Sequence, residues 1–171
     1  MVVVFDEQLD DDITSDFCDK LTSCVYSLRE GDVVDLFFST NGGANHNRVP
    51  ILKLLTKYQD YINIYINNIM VSNGFILLME LAENDVPVYM SKEFTYSMIH
   101  KTDALLNNHR PIGYEPNMNK YIKKYNLDVS KRLKKLGLTD EQLIIFNNGG
   151  DVYFTPEQTL KIFPNIIKNK K

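Results

Sequence analysis

Three side chains in this sequence have the types and settings for acyl-transfer chemistry: Ser72, His100 and Asp151. Ser72 stands in Val71-Ser72-Asn73-Gly74, where an extended stretch passes into an apolar helix. His100 closes the run Ser97-Met98-Ile99-His100, and Asp151 follows the turn Asn147-Asn148-Gly149-Gly150. A serine hydroxyl is a weak nucleophile and needs an adjacent base. An imidazole can take its proton, and a carboxylate can hold the imidazole's tautomer and stabilise the imidazolium. A serine at the start of a helix also lies beside N–H groups that lack intrahelical acceptors, and such groups can stabilise an oxyanion. Residue types alone do not single out the trio, because the chain has 3 histidines and 22 acidic residues. A serine before Asn-Gly is also a natural turn or cap. A histidine at a strand end is often a hydrogen-bonded surface or core residue, and an aspartate after Gly-Gly a turn residue. The order of the three, and the elements that hold them, must decide.

The first hundred residues alternate strand and helix. Val2–Phe5 is a β-branched run and reads as a strand. Asp10-Asp11-Asp12-Ile13-Thr14 supplies cap candidates for a helix whose stripe is Phe17, Leu21, Cys24, Val25 and Leu28. Val33–Phe38, apolar except at Asp35, reads as a buried strand of a parallel sheet. It ends in the turn Ser39-Thr40-Asn41-Gly42-Gly43. A helix is predicted over Arg48–Tyr58, with Pro50 near its first turn and Ile51, Leu54 and Leu55 on one face. Tyr61–Ile66 is the next strand, 67–74 the next turn, and Phe75–Leu81 an apolar helix. Pro87–Met90 and Phe94–Ile99 are two further strands. This alternation argues for α/β architecture with a largely parallel sheet. Right-handed crossovers bring the turns 39–43 and 67–74 to the same carboxyl edge, where open α/β sheets hold their sites.

The pattern changes from Lys101. Residues 107–119, with Pro111 and Pro116, read as a loop or irregular arm. Lys120–Leu136 is charged, with Ile122, Tyr125, Val129 and Leu133 at helical spacing. Thr139 with Gln142, and Thr155 with Gln158, have capping-box spacing, and Pro156 fits the first helical position. There is no internal repeat and no low-complexity linker. One domain over 1–171 is expected, with an α/β head at 1–100, a helical handle at about 101–145 and a return to the head at 146–171.

Composition removes several function classes. The chain of 171 residues is the size of one domain, and its 44% hydrophobic and 24% charged content is ordinary for a globular protein. A net charge of -3 gives no reason to expect nucleic acid as a partner, and Lys168, Lys170 and Lys171 read as a solvated tail. Cys18 and Cys24 fit one helix and read as reduced thiols. No basic region precedes an apolar one at the start, and Phe75–Met79 is too short to span a bilayer. A cytoplasmic protein without a membrane partner is the expectation. His46 and His109 lie in polar segments and are given no catalytic role, and Met70, Met79, Met90 and Met98 read as core.

At this point the chain resembles the proteolytic subunit of Clp protease, peptidase family S14, over essentially its whole length. Phe5-Asp6-Glu7-Gln8-Leu9-Asp10-Asp11 resembles the family's first strand and acidic turn. Leu36-Phe37-Phe38-Ser39-Thr40-Asn41-Gly42-Gly43 resembles the strand that ends in Asn-Ser-Pro-Gly-Gly. Val71-Ser72-Asn73-Gly74 resembles the Ala-Ser-Met-Gly around the nucleophile, and Ser97-Met98-Ile99-His100 the Met-Ile-His that carries the base. Asp151-Val152-Tyr153-Phe154-Thr155-Pro156-Glu157-Gln158 resembles the segment that carries the acid and opens the last helix. The resemblance implies the Clp protease/crotonase-like ββα superhelix with a helical handle. It implies a serine endopeptidase acting on peptides or unfolded proteins, with Ser72 as nucleophile, His100 as general base and Asp151 as the orienting acid. The oxyanion would be bound by the N–H groups of Gly43 and Asn73. Gly42-Gly43 lets backbone approach a substrate carbonyl with no Cβ in the way, and Asn73 follows the nucleophile, the usual place for such a donor. No metal or organic cofactor is implied.

The family further implies a homo-oligomer in which the handle interlocks subunits, and an ATPase unfoldase as partner. Four departures bear on this. Asn41 stands where the family has Pro, and Asn also suits a turn. Gly150 stands where an arginine tied to ring-to-ring contact is common. Lys101-Thr102-Asp103-Ala104-Leu105 replaces a glycine-bearing strand that pairs with substrate. The chain opens almost on the first strand, so the axial-loop segment used in ATPase docking is expected to be absent or very short. Gly150 and the altered strand motivate a second class of function, a catalytically inactive scaffold or assembly subunit. A third is a crotonase-type acyl-CoA enzyme, in which a Ser-His-Asp set at these positions is not expected.

Overall fold

The computed structural model describes residues 1–102 and 115–168, with side chains in the second stretch from 119 onward. The predicted arm at 107–119 and His109 therefore lie largely outside the described residues, except that 115–119 are helical. The elements in chain order are β1 Val2–Asp6, α1 Asp11–Tyr26, β2 Val34–Thr40, α2 Asn45–Lys57, β3 Ile62–Val71 and α3 Asn73–Glu83. They continue with β4 Val88–Met90, β5 Tyr96–Ile99, α4 Glu115–Lys135, α5 Asp140–Asn147, β6 Val152–Phe154, α6 Pro156–Ile162 and β7 Ile166–Lys168. Two compact units result, Met1–Ile99 with Tyr153–Lys171, and His100–Val152.

The first unit is α/β, as its alternating sequence requires. Its strands run β1-β2-β3-β4-β7, with β5 paired to β3 and β6 paired to β5. The pairings β1–β2, β2–β3, β3–β4, β3–β5 and β4–β7 are parallel. One face carries the core: Val3, Phe5, Leu36, Phe38, Ile62, Ile64, Ile66, Val88 and Met90 are buried. The other face carries one register row across five strands, Val4, Phe37, Tyr65, Tyr89 and Ile167. The rings of Phe37 and Tyr65 stack at 5.0 Å along it. In α3 every residue from Asn73 to Met79 is buried, so the helix is enclosed on all sides. Phe75 sits 5.2 Å from both Phe154 and Phe163. Such aromatic pairs add about 0.5–1.5 kcal/mol beyond area burial, and they fix the start of α3. Met70, Met79 and Met90 are buried as predicted, while Met98 is half-buried. Cys18 and Cys24 are free thiols on α1.

Strand β3 departs from the sequence reading. Asn67-Asn68 suggested the start of a turn, yet the strand continues to Val71. Phe38 pairs Ile66 but Thr40 pairs Met70, so β3 carries two extra residues there. Asn68 absorbs them at φ 57°, a left-handed conformation that Asn tolerates better than most residues. Before the bulge β3 pairs with β4, and after it with β5. Helix α2 also begins three residues before Arg48, so Pro50 lies inside it and His46 in its first turn. The segments β6 and β7 are strands for which the sequence offered no separate signal.

The second unit holds α4 and α5. Val129, Leu133, Leu138, Leu143 and Phe146 are buried. Both helices close the same way. The Gly137 N–H bonds Lys134 O and that of Leu138 bonds Leu133 O; the Gly149 N–H bonds Phe146 O and that of Gly150 bonds Ile145 O. Gly137 at φ 88° and Gly149 at φ 84° supply the left-handed residue that this cap requires. The two capping boxes also form, at Thr139 with Gln142 and at Thr155 with Gln158.

Candidate active site

Ser72 lies directly between β3 and α3, at φ 54° and ψ -113°. An L-residue pays a steric cost of order 1–3 kcal/mol in such a region, and such outliers persist only where the surroundings enforce them. Here the Ser72 N–H donates to Met98 O at 2.8 Å, tying the turn to β5, and Ser72 O accepts from the Ile76 N–H at 3.2 Å. The Ser72 side chain makes no capping bond, unlike those of Thr139 and Thr155. Its half-buried hydroxyl is therefore not used by the helix it precedes.

The turn after β2 packs against this serine. Gly42 has φ 95° and Gly43 has φ 139°. A Cβ added to Gly42 would lie 2.7 Å from the Ser72 Cβ and 2.9 Å from Val71 O. A Cβ on Gly43 would lie 2.5 Å from Leu9 O. Thr40 shapes the turn by accepting the Gly42 N–H on its Oγ1 at 3.0 Å. Its methyl covers Gly74, where an added Cβ would come within 2.6 Å. Leu9 runs alongside: its N–H donates to Gly42 O at 2.7 Å and its O accepts the Ala44 N–H at 3.1 Å. Among the described residues, the N–H groups of Gly43 and Asn73 have no hydrogen-bond acceptor. The predicted pair of oxyanion donors thus flanks the serine turn within one unit.

A buried polar network that the sequence reading missed lies behind the two loops. Arg48 donates from Nε to Glu80 Oε2 at 2.6 Å and from Nη2 to Glu80 Oε1 at 2.9 Å. Its Nη1 donates to Asn73 Oδ1 at 2.8 Å. The Asn73 Nδ2 in turn donates to Gly43 O. Two signals were present. Arg48 falls on the same stripe as Ile51 and Leu55, a charged residue at a core position, and Glu80 is the one charge within the apolar run 73–82. On the outer side of the turn, Asn47 donates to Leu9 O at 3.0 Å and to Asp11 Oδ1 at 2.8 Å. His46 bonds the same Asp11 oxygen at 2.7 Å. These bonds, led by that of Asn47, hold the Asp11 carboxyl below its ordinary pKa.

His100 and Asp151 belong to the second unit, and Ser72 to the first. His100 follows the last residue of β5, and β5 pairs with β3 at Val71↔Met98, one residue before Ser72. Beyond it the chain is held within the second unit. Lys101 Nζ donates to Asn147 O, and Asn126 pairs its amide with Thr102 N–H and O at 3.0 Å each. Asp151 is exposed and stands between the closing turn of α5 and β6. Gly150 before it is packed: an added Cβ would lie 2.8 Å from Ile145 Cγ2. No group of three or more metal-binding side chains occurs among the described residues, and none of their helices is long and apolar enough to cross a membrane.

The fold is matched by a solved structure, a point mutant of ClpP1 from Listeria monocytogenes. The match has a TM-score of 0.64 and covers 99% of this chain and 92% of that one. The fold is that of the Clp proteolytic subunit. At 15% identity the likeness lies in backbone course and not in sequence. No protein-family model matches the chain, and no curated protein sequence does. The α/β class, the mostly parallel sheet and the six described helices agree with a Clp-like chain.

Proposed function

We propose that the protein is a serine endopeptidase that hydrolyses peptide bonds through Ser72, His100 and Asp151. The observation that carries the reading is the Ser72 turn. A serine in an enforced positive-φ conformation, with its hydroxyl unused as a cap and two open N–H donors beside it, sits in a Clp-like fold. The roles of His100 and Asp151 rest on chain order and on the resemblance of their segments to those of the Clp family.

In this reaction Ser72 Oγ attacks the scissile carbonyl as the His100 imidazole takes its proton. The N–H groups of Gly43 and Asn73 stabilise the resulting oxyanion. Collapse expels the amine, which receives the proton from His100 and leaves an acyl-Ser72. Water, deprotonated by His100, then attacks the acyl group, and collapse releases the acid product as the departing Ser72 Oγ takes the proton back from His100. Asp151 orients the imidazole and stabilises its protonated form. The substrate class is an unfolded protein or peptide, and the working form is a homo-oligomer joined through the 101–145 segment, with an ATPase as possible feeder of unfolded chains.

A fluorophosphonate probe tests this directly. Labelling of the wild type at Ser72, lost in Ser72→Ala, is expected. Peptide turnover should fall on the order of 10⁶-fold in Ser72→Ala and His100→Ala. An assembled, folded wild type that takes no label would overturn the peptidase reading in favour of an inactive scaffold.

A further inference from the structure

We propose that Arg48 is a positioning residue, acting through Asn73 to hold the Gly43 N–H at the angle the oxyanion requires. This rests on the peptidase reading above and deepens it. The peptide bonds on both sides of Gly43 are pinned. Gly42 O accepts the Leu9 N–H at 2.7 Å. Because a trans peptide holds its C=O and N–H on opposite sides, that bond turns the Gly43 N–H away from Leu9. The next peptide is held by the Ala44 N–H on Leu9 O and by Asn73 Nδ2 on Gly43 O. Gly43 has no side chain to restrict it, so these bonds, with the Leu9 backbone packed against it, set its backbone angle.

Asn73 can serve only in one of its two amide orientations. Arg48 fixes the choice: Nη1 can only donate, so Oδ1 must face it and Nδ2 must face Gly43. The guanidinium is itself locked by two parallel bonds to Glu80. Arg48 and Asn73 are 6% and 5% exposed, so solvent does not replace these partners. One planar fork thus joins α2, α3 and the glycine turn, and it fixes both oxyanion donors, since Asn73 supplies one with its backbone. Lysine has no second arm for this task. Burying an ion pair is poor stabilisation compared with an apolar pair of equal volume, so its use here points to geometry.

The test uses the full chain and two variants. Arg48→Met/Glu80→Leu removes both charges together and leaves none buried alone. Arg48→Lys keeps a cation for Glu80 and is the safeguard if the double variant does not fold. In both, kcat for a peptide substrate should fall by about 10²-fold, the usual effect of losing one oxyanion donor, with KM unchanged. Fluorophosphonate labelling at Ser72 should slow but persist, and the melting temperature of the double variant should be near or above that of the wild type. A folded Arg48→Lys or double variant with wild-type kcat overturns the positioning role while labelling still supports the peptidase. A wild type that takes no label overturns both.

Discussion

Replacing Gly42 by alanine tests how tightly the glycine turn is built onto Ser72. The added methyl would meet the Ser72 Cβ at 2.7 Å, Val71 O at 2.9 Å and Asn73 N at 3.1 Å. Carbon atoms rest at about 3.5–4.0 Å, so the turn and the serine must separate by about 1 Å. At φ 95° alanine also carries a left-handed penalty, about 1–2 kcal/mol for an L-residue. Overpacking of this kind adds about 1–3 kcal/mol. The sum, about 2–5 kcal/mol, corresponds at this chain length to a melting temperature lower by about 5–15 °C. A displacement of about 1 Å at a reacting centre costs about 10²-fold in turnover. Differential scanning calorimetry and initial rates on a peptide substrate measure the two effects separately. A Gly42→Ala protein that melts with the wild type would refute the packing of the turn against Ser72. One that melts early but keeps wild-type kcat/KM would refute the idea that the spacing of the turn and the serine governs the reaction.

Ser72→Gly should melt about 1–4 °C above Ser72→Ala, since glycine accepts φ 54° without the steric cost that alanine retains. Equal melting temperatures would show that the turn is not strained. Thr155→Ala should cost about 1 kcal/mol in denaturant unfolding by removing the cap of α6. Phe75→Ala should cost about 3–5 kcal/mol, because it empties a fully buried site against Phe154 and Phe163. Asp11→Asn should change the acid side of the stability curve. The Asp11 pKa is lowered from 3.8 on folding, so its contribution is complete above that pH and is lost as pH falls through the lower folded value. Urea titrations of wild type and variant should therefore differ near neutral pH and converge in strong acid.

Much of the fold was legible because its signals are local. The apolar run of α3, the β-branched run of β1 and the two capping boxes each declare themselves within a few residues. The bulge in β3 was not legible. Asn67-Asn68 has the composition of a turn, and only pairing with two different partner strands makes it a kink inside a strand. The strands β6 and β7 hold three residues each, too few to show a period, and they exist through their partners.

The site divides along the same line. Ser72 and the Gly42-Gly43 turn could be read because each sits where strand chemistry stops. What holds them could not, because Leu9, Arg48, Asn73 and Glu80 are brought together from three separate segments. Yet two of these residues break the local pattern, a charge on the core stripe of α2 and a charge within the apolar run 73–82 of α3. Burying such charges is unfavourable unless they meet each other, so two misplaced opposite charges on successive helices are themselves evidence of a pair. Reading them as a pair would have located the network from sequence. The structure gives the link between them, Asn73, directly after the serine, whose amide accepts from Arg48 and donates to Gly43 O.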